Sequence, residues 1–183
     1  MYSSGSSSSE LLPWPDRDPA DMNADARFSP CRRYRYLLKR RWARDKPCVL
    51  FIGLNPSTAD ETIDDPTVRR CIGFARSWGF GGLMLANLFA FRSTCPRRLT
   101  QVRDPIGPEN DDWLARAARS AGLVVAAWGV HGTLHDRADA VIGQLPDLHC
   151  LGLTRAGAPR HPLYLSAQTP LQPFVPSQAT SMA

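Results

Sequence analysis

Asn55, Asn87 and His161 are the side chains of this chain best placed for chemistry, because each closes or follows an apolar run. Asn55 comes just after Cys48-Val49-Leu50-Phe51-Ile52, in the turn Gly53-Leu54-Asn55-Pro56-Ser57. Asn87 ends the run Leu83-Met84-Leu85-Ala86, and His161 follows Leu148 to Leu153 across a Gly/Pro loop. Runs of this kind are buried strands, and in open α/β sheets ligands bind at the carboxyl ends of strands. Three polar groups at three strand ends therefore predict one site. Pro56 fixes its own φ and biases Asn55 toward an extended conformation, which presents the amide. Plainer roles stand beside these. Asn55 suits a turn in which its side chain caps the backbone, and Asn87 suits satisfying a buried backbone group. His161 lies between Arg160 and Pro162, which is not the setting of a core histidine.

The elements that must position these groups alternate. Strands are predicted over Cys48–Leu54, Leu83–Phe89, Leu123–Trp128 and Leu148–Leu153. A helix is expected from Asp64-Asp65-Pro66-Thr67, an acidic cap with proline in the first turn, to about Trp78, stopping at Gly79-Phe80-Gly81-Gly82. Further helices are expected from Asn110 to Ala121, after a basic, proline-rich loop, and for about ten residues from Thr133. Strand–helix alternation predicts a three-layer α/β/α domain on a four-stranded, mostly parallel sheet, preceded by an N-terminal strand or hairpin. The stretch Tyr34–Trp42 reads as an edge strand or a short helix, its Tyr34/Tyr36/Leu38 alternation leaning toward strand. Residues 1–26, with a Ser/Gly run and then prolines and acids, are expected to be disordered. Residues 27–170 form the single domain, and 171–183 form a flexible tail.

Composition bounds the function. At 183 residues, 43% hydrophobic and 21% charged, the chain has the makeup of one globular domain. The net charge of +5 is unevenly spread. Nine basic residues and one acid, Asp45, lie from Arg27 to Lys46, interleaved with Tyr34, Tyr36 and Trp42. Such a stripe suits a phosphate backbone or, as charge alone, a solvated face. Five cysteines at wide spacing imply neither a metal clip nor a disulfide framework. His131 and His135 have helical metal-pair spacing without a third ligand, so they read as surface histidines. No metal or cofactor is expected. No signal peptide or membrane-spanning run is evident, which makes the cytoplasm the expected compartment and a monomer the expected state.

Residues from about Phe28 to Leu165 resemble the bacterial and phage family called domain of unknown function 1643. The resemblance is carried by Asn55-Pro56-Ser57-Thr58-Ala59-Asp60, Asp65-Pro66-Thr67-Val68-Arg69-Arg70-Cys71, Ala127-Trp128-Gly129 and His161-Pro162-Leu163-Tyr164-Leu165. Three shorter segments resemble the uracil-DNA glycosylase superfamily, in the same order. They are Phe51-Ile52-Gly53-Leu54-Asn55-Pro56, Ala86-Asn87-Leu88-Phe89 and the loop Arg160 to Ser166, in which Leu163 and Tyr164 replace Ser and Pro. The resemblance implies strand order 2-1-3-4 and a DNA glycosylase acting on a damaged, mismatched or modified pyrimidine.

In that reading Asn55 orients the attacking water and His161 donates to the departing base. Gly53, Leu54, Ser57, Asn87 and Phe89 hold the base, and Asn87 has the donors and acceptor to pair with a pyrimidine edge. A serine at 57, where uracil-specific members carry a bulkier residue, leaves room for a C5 substituent. Arg32, Arg33, Arg35, Arg40, Arg41, Arg69, Arg70 and Arg160 are the expected DNA contacts, with Leu165 filling the gap left by a flipped base. A non-catalytic reader of flipped bases and a hydrolase or transferase of free nucleotides or nucleosides remain as alternatives. The setting is open between repair, phage defence and base modification.

Overall fold

The computed structural model describes residues 24–145 and 147–176. Seven strands form one mixed sheet: β1 (Ala24–Phe28), β2 (Arg35–Arg41), β3 (Cys48–Gly53), β4 (Gly82–Asn87), β5 (Leu123–Ala126), β6 (Leu148–Cys150) and β7 (Gln172–Pro173), in the order β1-β2-β4-β3-β5-β6-β7. The helices are α1 (Pro66–Ser77), α2 (Asn110–Ser120) and α3 (Arg137–Ile142). Among the described residues no helix is long and apolar enough to cross a membrane.

The four expected strands are the parallel centre, β4-β3-β5-β6, with β3 in the interior. Every residue of β3 and β4 is buried, as continuous apolar runs covered on both faces must be. Alternation along β3 divides the core. Leu50 and Ile52 pack with Trp113 and Leu114 of α2 and Val141 of α3, while Val49 and Phe51 pack with Val68, Cys71 and Phe74 of α1. Helices thus cover both faces.

Helix α1 begins as its sequence dictates. The Asp65 carboxylate accepts the Val68 N–H at 2.9 Å, and Pro66 occupies the first turn, where its missing N–H costs nothing. It ends at Gly79, whose φ of +80° suits glycine. Trp78, at its end, stacks on both Phe51 of β3 and Phe74 of α1, with ring centroids 5.8 and 5.5 Å apart.

The expected N-terminal strand or hairpin joins the four-stranded centre in one sheet, and a further edge strand brings it to seven, all three added strands pairing antiparallel. β1 and β2 form an N-terminal hairpin beside β4, and β7 closes the far edge beside β6. Arg35–Arg41 is therefore an interior strand, not an edge strand, because β1 covers its outer side. That covering strand starts at Ala24, inside the segment expected to be disordered; the rest of that segment, 1–23, lies outside the described residues. The first residues of the segment expected to be a flexible tail are paired and packed. Gln172 pairs with Cys150, and Phe174 packs edge-on against Trp128 with ring centroids 5.8 Å apart. Residues 177–183 lie outside the described residues.

The helix expected from Thr133 is shorter. A 3₁₀ stretch over Val130–Asp136 is broken where Leu134 is extended and His135 and Asp136 take φ of 55° and 51°, and α3 follows. His131 and His135 consequently do not share a helical face.

Candidate functional site

A cleft of about 490 Å³ opens at the carboxyl ends of β3 and β4. Asn55, Ser57, Asn87 and His161 all line it, together with Gly53 and Leu54. The three polar groups read from separate strand ends do meet. Its volume is ordinary for a small-molecule site.

Each of the three has a polar atom left for a ligand, and Asn55 and His161 have another committed to the backbone. Asn55 donates both amide protons to backbone carbonyls, of Pro56 at 3.0 Å and Ser93 at 2.7 Å. What remains is Oδ1, an acceptor. His161 accepts the Leu163 N–H on Nδ1 at 3.3 Å, which leaves its proton on Nε2 and makes that atom a donor. Asn87 is 3% exposed, and its Nδ2 has no partner. A buried donor left unpaired costs about 1–3 kcal/mol, so it is a natural place for a ligand's acceptor.

The frame behind Asn87 is rigid. Leu88 N–H and Phe89 N–H continue the parallel ladder to the carbonyls of Gly53 and Leu54 at 2.9 and 3.0 Å. The fully buried Asn110 donates to the carbonyls of Asn87 and Leu88, both at 3.0 Å, and Arg137 Nε donates to Leu88 at 2.8 Å. Arg137 is itself held by Asp111. Gly53 is required opposite: a Cβ there would lie 2.8 Å from Asn87 Oδ1. None of this support was legible from strand-end reasoning, since Asn110 and Arg137 lie in helices.

Two charged groups also line the cleft. Asp65, read as a helix cap, is buried and caps α1, yet it also faces this space. Arg35, read as a phosphate contact, is 1% exposed and lines the cleft from within the fold. His131 and Tyr164 complete one side. The segments Asp65-Pro66-Thr67 and Ala127-Trp128-Gly129 both contribute to the wall; their place in the family pattern was the available signal.

Burial holds the His161 imidazole below its ordinary value of 6.5, with Asp65 opposing the shift weakly. The ring is neutral at physiological pH. Because the unfolded chain takes up this proton at a higher pH than the folded one, stability declines as pH falls below about 6.5 and stops declining below the folded value. His161→Gln is expected to flatten that part of the profile, a change readable by chemical denaturation at a series of pH values between about 7 and 5.

Much of the basic stripe is engaged within the chain. Arg32 forms a two-pronged pair with Glu61 at 2.7 and 2.9 Å. Arg35 donates to Ala59 O at 2.9 Å. Arg40, buried, bonds Asp64 at 2.8 Å and the carbonyl of Asp60 at 2.7 Å. Arg69 reaches the Asp64 carbonyl. Four expected DNA contacts thus tether the acidic loop 57–65, which carries Ser57 to the cleft wall and leads into Asp65. Arg41 binds the carbonyls of Ala43, Arg44 and Lys46 within its own turn. Arg70 packs over Phe74 and donates to the Leu165 carbonyl. Arg33 and Arg160 stay exposed.

Two apolar assignments also change. Phe89 is fully buried in the core and does not line the cleft, because β4 ends at Asn87 and the chain beyond it no longer follows the strand's alternation. Leu165 is packed in the core on the α1 side, so it is not free to enter a duplex. The exposed aromatic side chain of that loop is Tyr164, 83% accessible, its ring 6.3 Å from that of His161.

A mixed α/β domain with a polar cleft at the strand ends is the class that fold and site define. Residues 35–163 match the family described as "Protein of unknown function (DUF1643)", and the chain belongs to it. No curated protein and no solved structure matches the chain.

Proposed function

We propose that the protein is a DNA glycosylase that hydrolyses the N-glycosidic bond of a pyrimidine flipped out of DNA, the base being damaged, mismatched or substituted at C5. The observation that carries this reading is the sorting of hydrogen-bond roles in one cleft: a free acceptor on Asn55, an unpaired buried donor on Asn87 and a neutral donor on His161.

The reaction needs these roles. As the C1′–N1 bond breaks, its electron pair leaves with the base and the sugar becomes oxocarbenium-like. Water then adds its oxygen to C1′ and releases a proton, giving an abasic site. Asn55 Oδ1 orients that water, and its partial negative charge favours the cationic sugar. Asn87 and His161 donate to the base, where negative charge grows. DNA is favoured over free nucleosides by the exposed basic side chains of Arg33, Arg97, Arg98 and Arg160, which remain after the tethering arginines are set aside. Tyr164, rather than Leu165, is the side chain placed to fill the gap in the duplex.

The test is incubation with oligonucleotides carrying a panel of modified pyrimidines, followed by alkaline cleavage at abasic sites. Tight binding without cleavage across the panel would favour a reader, and cleavage of nucleosides but not oligonucleotides would favour the third class. Ser57 sets the expected selectivity. Ser57→Tyr should lower kcat/KM for C5-substituted bases relative to unsubstituted ones by roughly 10–200-fold, the range that pocket sterics provide. Equal losses on both substrates would place Ser57 away from C5.

A further inference from the structure

Arg35 is the most deeply buried cation of the cleft, and the chemistry above does not use it. Its Nη1 donates to Ala59 O, but its Nε has no partner, and Asn87 Nδ2 in the same cleft also has none. Two buried donors without acceptors, lining one space, ask for acceptor atoms from a ligand. One of the two belongs to a full positive charge.

Acids lie near it, but among the described residues none is paired directly with its guanidinium. The groups facing Arg35 are Asp65 at the start of α1, Asp60 in the tethered loop, Arg40 on the same strand and Arg92 beyond β4. Asp60 is committed to the Thr62 and Ile63 N–H groups, Asp65 Oδ1 to the Val68 N–H, and Arg40 to Asp64. His161 is neutral there. Burial lowers Arg35 to about 10, which leaves it cationic at neutral pH.

We propose that Arg35 makes this cleft selective for anions: a pyrimidine is held more tightly as its ring anion than as the neutral base. The inference rests on the base-binding reading above for the identity of the ligand. In a glycosylase the consequence is direct, because the departing base leaves as that anion and Arg35 stabilises it through charge while His161 does so through a hydrogen bond. Bases whose ring N–H is more acidic are then favoured. Electron-withdrawing C5 substituents produce that acidity, and Ser57 leaves space for them.

Calorimetric binding of free bases tests this without requiring turnover. The probes are uracil, 5-fluorouracil and 5-nitrouracil, with 1,3-dimethyluracil as a base that cannot ionise. Affinity is expected to rise at least about tenfold from uracil to 5-nitrouracil, and for 5-fluorouracil to rise between about pH 7 and pH 9, where His161 does not titrate. The dimethylated base should show no pH trend. Arg35→Lys, which keeps the charge, should preserve the acidity trend, and Arg35→Met should abolish it. Affinity independent of base acidity, no binding of any base, or a trend unchanged in Arg35→Met would each overturn the proposal. If both variants fail to fold, the acidity and pH series on the wild type decides alone. An acidity trend in a protein that cuts no oligonucleotide would retain the anion site and remove the glycosylase. Cleavage without the trend would do the reverse.

Discussion

Asn55→Ala is expected to slow single-turnover base release by on the order of 10²–10³-fold or more, while affinity for DNA changes little. The separation follows from what each group touches. Phosphate contacts supply most nucleic-acid affinity, and Asn55 is a half-buried cleft residue far from that role. Its value to the reaction lies in Oδ1, whose direction is fixed because both amide protons are bound to the Pro56 and Ser93 carbonyls. Asn55→Asp is therefore no conservative change here. It keeps an oxygen for water but sets a carboxylate against two carbonyl oxygens, losing two hydrogen bonds worth about 0.5–1.5 kcal/mol each and leaving their acceptors unpaired. Stability should fall in Asn55→Asp more than in Asn55→Ala. Rapid-quench kinetics on a cleavable oligonucleotide, with binding by fluorescence anisotropy in parallel, reads both effects. A single-turnover rate equal to wild type in Asn55→Ala would remove water positioning from its role.

The strand-end groups were legible because a strand's direction and its terminal residues are local properties of the sequence. Asn55, Asn87 and His161 each needed only an apolar run and its boundary to be placed, and a parallel sheet brings such boundaries to one edge. The central strands and α1 were legible for the same reason, with Asp65 and Pro66 marking a helix start. The role of the arginines was not. Whether Arg35 or Arg40 faces water depends on β1 pairing alongside β2 and on the loop 57–65 folding back over it, and both are tertiary facts. The acids Asp60, Glu61 and Asp64 were visible beside a basic stripe, but nothing local says that the two segments meet. Phe89 and Leu165 failed likewise: each follows a polar site residue in sequence, and only the path of the chain decides whether the next apolar side chain turns to the cleft or to the core. Asn110 and Arg137 support Asn87 from helices on one face of the sheet, a relation that strand-end reasoning cannot reach.

Arg40→Ala is the substitution expected to cost the most stability, about 3–5 kcal/mol, as removal of one partner from a buried ion pair does. The Arg40 side chain is 9% exposed and its partner Asp64 31%. Its guanidinium also satisfies the carbonyls of Lys39 and Asp60, at 2.9 and 2.7 Å. Truncation removes the donor from these three acceptors, and from the Ile63 carbonyl at 3.4 Å, at once. Asp64→Asn should cost less, because Asp64 is better solvated and an amide oxygen can still accept from Arg40. The pair Arg32–Glu61 makes a useful contrast. Its geometry is as good, but with side chains 52% and 39% exposed its loss should cost far less, because solvent screens the pair. Urea denaturation of the three variants orders them. A loss below about 1 kcal/mol for Arg40→Ala would mean that the pair behaves as a surface contact. The stripe's role then separates from DNA binding by salt dependence. Neutralising Arg33 and Arg160, which stay exposed, should reduce the slope of log affinity against log salt. Folded Arg40→Lys should leave that slope unchanged, and its effect should appear instead as a raised KM, since a loosened 57–65 loop no longer holds Ser57 and Asp65 at the cleft.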